Sequence, residues 1–236
     1  MTDSAPEVSV RMSQETLDAL AASGCFLYGL SAVRSADGAG RPAPWLQTDK
    51  YAMHTRVQLP RELLAFTSPR TPPLLDGVRV EPGFHVPARA GQTLVAGLAG
   101  GGGEMREWGA ADAISLLNTT AGPLTGGLAC TAGGEATPLY VAPLHGGWLQ
   151  IVVPLPKLLL FVSPYPAPPG TVVATSTGPG VLVTFTPGAE CALEFDADQG
   201  WSWPQGVRAH AVPAQSDLVR LLVEYPAPDG PAAGAG

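Results

Sequence analysis

The sequence predicts an all-β protein: a β-sandwich of two packed, mostly antiparallel sheets, preceded by one short N-terminal helix. Three observations carry this reading. Several segments alternate apolar and polar residues with the period of two that gives a strand one buried face. The 29 Gly and 25 Pro of the 236-residue chain fall at intervals that stop long helices and suit short strands joined by turns. Finally, Val57-Gln-Leu-Pro-Arg-Glu-Leu-Leu-Ala-Phe-Thr-Ser-Pro returns as Val153-Pro-Leu-Pro-Lys-Leu-Leu-Leu-Phe-Val-Ser-Pro, which predicts an internal duplication.

Taken in order, Ser13 supplies an N-cap, Glu15 places negative charge in the first turn, and Leu17, Leu20 and Ala21 share a face. Gly24 stops the helix, so 14–22 is helical and residues 1–24 form an N-terminal arm. Cys25 to Leu30 then reads as a strand. Met53, Thr55, Val57 and Leu59 alternate with His54, Arg56 and Gln58. Between Glu104 and Leu117 the pattern is ambiguous, since Met105, Trp108 and Ala111 or Asp112 could share a short helix, and strand is favoured over 113–118; Val181-Val183-Phe185 and Cys191-Leu193-Phe195 also read as strands. The β-branched run from Thr171 to Thr177 favours a pleated surface. Val219, Leu221, Val223 and Tyr225 predict a last strand, with Arg220 and Glu224 on its other face.

In the doubled segment, each copy reads as a strand, a bend at Leu-Pro, and a second strand ending at Ser-Pro. Proline removes a ladder donor and belongs at an edge, bulge or strand start. The body at 25–225 is thus expected as two similar halves, about 25–103 and 104–225, divided at the glycine run Gly100–Gly103. Pro226–Gly236 has the composition of a disordered Pro/Ala/Gly tail.

Charged residues make up only 14% of the chain, against a usual share of about 25%. A surface covered by Ser, Thr, Gly and apolar atoms resists association poorly, so a homo-oligomer or a sticky binding face is expected. The net charge of −7 and scattered basic residues (Arg34, Arg41, Lys50, Arg56, Arg61) argue against nucleic acid as a partner. The first residues lack the features of a secretory signal, and no apolar run reaches the roughly 20 residues of a spanning helix. These features predict a cytoplasmic protein and leave a secreted mature form open. Cys25, Cys130 and Cys191 read as buried thiols in a reducing compartment, without metal spacing.

Chemistry-bearing residues are few. His54, His85, His145 and His210 accompany no nucleophile motif. Asp196-Ala-Asp198-Gln-Gly200 has the spacing that opens calcium loops, but the closing Glu is missing, so Ca²⁺ stays open beside a plain acidic turn. Trp201 and Trp203 lie two apart and share a strand face. Near Asp196 and Asp198 they make a candidate platform for a sugar ring or another small ligand, and the same spacing also suits a core. Trp45 and Trp148 read as core or inter-sheet residues, and Asn118-Thr-Thr120 as a glycosylation sequon only in a secretory pathway.

The leading expectation is a non-enzymatic protein that binds a ligand, with carbohydrate as the candidate, or assembles with itself, with no cofactor. Two alternatives stay open. One is a membrane-active, pore-forming-like protein meeting a membrane surface through Trp201, Trp203 and Leu158–Phe161. The other is a hydrolase with a site dispersed over His145, Asp196 and Asp198.

Overall fold

A computed structural model describes residues 6–68, 73–97, 102–186 and 191–225. The chain opens with β1 (Glu7–Arg11), α1 (Gln14–Ala22), the long β2 (Phe26–Ser35), β3 (Arg41–Pro42), β4 (Leu46–Thr48), β5 (His54–Gln58) and β6 (Leu63–Ser68). It continues through β7 (Phe84–Ala88), β8 (Thr93–Ala96), β9 (Gly103–Arg106), β10 (Ile114–Asn118), β11 (Leu124–Ala132) and β12 (Glu135–Leu144). The last part holds β13 (Leu149–Ser163), β14 (Gly180–Thr184), β15 (Cys191–Asp196), β16 (Gly200–Ser202), β17 (Ala209–Val212), α2 (Leu218–Leu222) and β18 (Val223–Glu224).

The all-β expectation holds, and α1 forms where its signals place it. Ser13 Oγ accepts the Thr16 N–H at 3.1 Å, and Gly24 leaves the helix at φ +63°. Its buried face is Thr16 and Leu20, with Leu17 partly covered, whereas Ala21 is exposed.

Instead of two sheets the strands form three. One has the order β16-β15-β1-β5, and another runs β3-β12-β11-β6-β7. The third, nine-stranded, follows β17-β14-β13-β10-β8-β9, with β2, β4 and β18 joined on the far side of β13. Three pairings are parallel (β1 with β15, β8 with β10, β2 with β18), and the rest are antiparallel.

The reason for three lies in β13. Its fifteen residues pair with β2 along both ends, through an irregularity between Pro154 and Leu158. The long sheet therefore has room on one face for two partners. At one end the four-stranded sheet buries Val8, Val10, Leu193 and Phe195 against Leu27, Leu158, Leu160 and Val181. At the other, the five-stranded sheet buries Leu128, Tyr140 and Leu144 against Val33, Leu116 and Val152. Leu27 and Val33 are six apart on β2, so both cores lie on the same face of the long sheet. Trp45 packs against both cores. Its inter-sheet expectation is met, and each sheet draws strands from both sides of position 103.

The two look-alike stretches have different surroundings. Val57 lies in β5, paired with β1, and the rest of that copy enters β6 between β11 and β7. Val153 to Ser163 stays in one strand, paired with β2 and β14. The copies share an interruption at Leu-Pro, where the N–H is missing, and no common pairing.

The last expected strand is α2 over its first part, and only Val223–Glu224 stay extended, as β18. Asp217 accepts the Arg220 N–H at 3.1 Å, and Leu218 and Leu222, four apart, face the core. There they cover Tyr28, Leu30 and Phe161 on the other face of the long sheet. Tyr28 stacks on Phe161 at 4.7 Å and donates its hydroxyl to Tyr165 O at 2.6 Å. Thr171 to Thr177 makes isolated bridges to Arg79 and Asp217 in place of a strand, because its N–H groups serve neighbouring loops. The Pro226–Gly236 tail and Gly100–Gly101 lie outside the described residues.

Two polar groups in the long sheet differ in how well they are matched. Ser35 Oγ accepts from Tyr140 OH at 2.8 Å and Gln150 Nε2 at 2.6 Å, and donates to Asp37 O at 2.8 Å. Burial pushes the Tyr140 phenol up to about 12. Ser115 Oγ, by contrast, is buried without a partner. Ser115→Ala should therefore stabilise the protein by about 1 kcal/mol, read as a higher urea midpoint. A lower midpoint would show that the hydroxyl has a partner.

Candidate functional site

The Asp196-to-Gly200 segment is the turn between β15 and β16. Asp196 Oδ1 accepts the N–H groups of Asp198 and Gln199, each at 2.9 Å, and Oδ2 accepts from Thr16 Oγ1 at 3.4 Å. The two backbone donors hold its carboxyl below the usual carboxylate range. Gly200, at φ +77°, closes the turn. The Asp-x-Asp-x-Gly spacing thus closes on its own backbone, and Asp198 stays exposed. Among the described residues no three His, Cys, Asp or Glu gather as a metal cluster.

Trp201 and Trp203 do share a face, and that face is turned inward. Trp201 is paired with buried Phe195, their rings 4.9 Å apart, and its Nε1 donates to Pro179 O at 3.1 Å. Both indoles extend the edge of the first core and remain half-buried. Leu158–Phe161 is interior throughout. Trp148 departs from expectation: it is 66% exposed in the turn before β13, with the exposed His145 ring 5.8 Å away. The structure sets His145 beside the five-stranded sheet and Asp196 and Asp198 in the four-stranded one. All four histidines are exposed, and the three cysteines are free.

What the structure does assemble is a cleft between β4 of the long sheet and the β7 and β11–β12 part of the five-stranded sheet. It has a volume of about 760 Å³ and is built from Trp45 to Gln47, Arg79 to Pro82, His85, Ala132 to Pro138 and Pro169. Trp45 is fixed from both ends: its backbone N–H donates to Gly29 O at 3.1 Å, and its Nε1 to Ser31 Oγ at 3.0 Å. Gly29 makes this possible, since a Cβ there would lie 3.2 Å from Leu46 Cβ and 3.4 Å from the indole. Opposite stands the β11–β12 turn, with Gly133 and Gly134 both at positive φ, the geometry of a tight two-residue hairpin. Val80 N–H to Gly170 O, at 3.0 Å, fixes the third wall.

The polar groups in the cleft are the exposed Arg79, Glu81, His85 and Glu135 and the half-buried Gln47. Arg79 Nε lies 4.0 Å from Glu81 Oε1. The cleft thus offers guanidinium and amide donors, carboxylate and amide acceptors, and an anchored indole wall. Its one hydroxyl, on Thr137, is buried, and it has no Ser or Cys that could act as nucleophile. Sequence reasoning missed this site because its residues come from five separated segments. The legible part was Trp45, an aromatic residue bound for an inter-sheet position. Neither protein-family models, curated proteins nor solved structures match the chain.

Proposed function

We propose that the protein is a non-catalytic binder of a small, hydroxyl-rich ligand, a saccharide, held in the cleft beside Trp45. The observation that carries this reading is the composition of that cleft: an indole wall fixed at both ends, facing donors and acceptors of both charge signs. Sugar rings present C–H faces that suit an aromatic surface and hydroxyls that both donate and accept. The cleft volume lies within the range of about 300–1,000 Å³ usual for small-molecule sites. The scaffold we infer is a pair of sandwiches sharing one long sheet.

Titration calorimetry against a panel of neutral and acidic saccharides tests this. We expect binding that Glu135→Ala weakens about tenfold, equivalent to about 1.4 kcal/mol. Trp45→Phe should weaken it less, since it keeps an aromatic ring. Trp201→Ala and Trp203→Ala should leave affinity unchanged, whereas loss of binding in those variants would return the site to the half-buried pair. No heat with any saccharide at millimolar concentration would end the proposal.

A further inference from the structure

The charges that line the cleft beside Trp45 do not cancel, and the imbalance narrows the kind of ligand it would hold. Its described lining includes Arg79, Glu81 and Glu135. Arg79 Nε lies 4.0 Å from Glu81 Oε1, so these two offset one another. Glu135 forms no ion pair among the described residues. It opens β12 just past the Gly133-Gly134 turn, paired with Ala132, and it is exposed. With histidine counted as neutral at pH 7, the lining carries one net negative charge. The chain as a whole, at −7, adds a field of the same sign.

Hydrogen-bonding capacity leans the same way. Pro82, Pro138 and Pro169 bring no backbone N–H to the walls. The indole N–H of Trp45 is spent on Ser31 Oγ, and the backbone N–H groups of Trp45 and Val80 on Gly29 O and Gly170 O. The carboxylates of Glu81 and Glu135 and the amide oxygen of Gln47 remain as acceptors. A ligand that supplies donors and positive charge answers such a lining.

Resting on the saccharide reading above, we propose that the ligand is an amino sugar, its ring against Trp45 and its protonated amine paired with Glu135. An ammonium has three donors and no acceptor, which matches walls short of free N–H groups. A cation is also drawn to the face of an indole more than to other aromatic rings. An acidic sugar would meet two carboxylates beside the single guanidinium of Arg79. An N-acetylated sugar keeps the ring and loses the charge.

Titration calorimetry at low salt tests this with three disaccharides of one skeleton, differing only at the second ring carbon. Cellobiose carries a hydroxyl there, the glucosamine disaccharide an ammonium, and its N-acetylated form an amide. The ammonium form should bind about fivefold more tightly than cellobiose, the size of an exposed ion pair, and salt should shrink that advantage. Glu135→Gln, which keeps shape and an acceptor, should abolish the advantage. Arg79→Gln, which releases Glu81, should widen it. Both positions are exposed, so both variants should keep the wild-type circular dichroism spectrum. Equal affinity for the three sugars overturns the assignment, as does tightest binding of the N-acetylated form or an advantage that survives Glu135→Gln. In each of those cases saccharide binding itself stands. No heat from any of the three ends the saccharide reading and the amino-sugar assignment together.

Discussion

Gly127→Ala is expected to destabilise the protein by about 4 kcal/mol or more, enough to leave most of the chain unfolded or insoluble. A Cβ at this position would lie 1.9 Å from Tyr140 O and 2.9 Å from Tyr140 C, so backbone, not a flexible side-chain end, must move. It has nowhere to move. β11 is held by β6 on one side and β12 on the other, and β12 is held in turn by β3. The register already shifts between Leu128 and Ala129, next to the position in question. Tyr140 also carries the buried contact to Ser35, so displacing it unsettles the long sheet as well. A domain of ordinary stability, about 5–15 kcal/mol, has little to spare against that. Gly133→Asn serves as the control: the residue is in open space at φ +60°, in a turn that accepts Asn, and should change stability by less than about 0.5 kcal/mol. Urea denaturation of the two variants decides the matter. Equal midpoints would mean that the five-stranded sheet is not paired as described.

The second large effect is at Asn118, which is fully buried. Its Nδ2 donates to Gly122 O and Leu144 O, both at 2.8 Å. Its Oδ1 accepts from the Thr120 N–H at 2.9 Å and from Thr120 Oγ1 at 2.7 Å. Each donor and acceptor of the amide is matched, and the group ties the end of β10 to the turn before β11 and to the end of β12. Asn118→Ala removes these bonds and leaves buried partners unpaired, a loss of about 2–4 kcal/mol by thermal or urea unfolding. Asn118→Asp should lose at least as much, since a carboxylate would face two carbonyl oxygens. The same geometry answers the sequon. An amide nitrogen used twice inside the protein cannot carry a glycan, so folded material from a secretory host should show Asn118 unmodified by peptide mass. A glycan on folded protein would contradict the placement of β10.

Signals contained within one segment were legible in the sequence. Ser13, Glu15 and Gly24 define α1 without help from elsewhere, and the alternation in Cys191-Leu193-Phe195 fixes which side chains turn inward. Residues 218–222 were misread because two periods coexist there. Val219, Leu221 and Val223 alternate, while Leu218 and Leu222 stand four apart behind the Asp217 cap. Burial against Leu30 and Phe161, set by distant strands, decides for the helix. Alternation also identifies a buried face without naming what covers it, so a third sheet was invisible. The same limit applied to the indoles: spacing placed Trp201 and Trp203 on one side, and only the pairing with Phe195 shows that side to be the interior. Trp148 looked like core by its neighbours and is exposed, because its turn lifts it off the sheet. The cleft was the least accessible of all, since its walls come from stretches as far apart as Trp45, Glu135 and Pro169.

The pairing of β1 with β15 carries a further consequence for how the molecule comes into being. Val8 lies against Cys191, and Arg11 against Glu194. A ribosome must therefore extend the chain from Arg11 past Glu194 before β1 can find its parallel neighbour. Until then that strand, and β2 waiting for β13, are unprotected edges. Such distant closures make maturation slow, on the order of milliseconds to seconds, and leave the nascent chain prone to clumping until β15 has emerged.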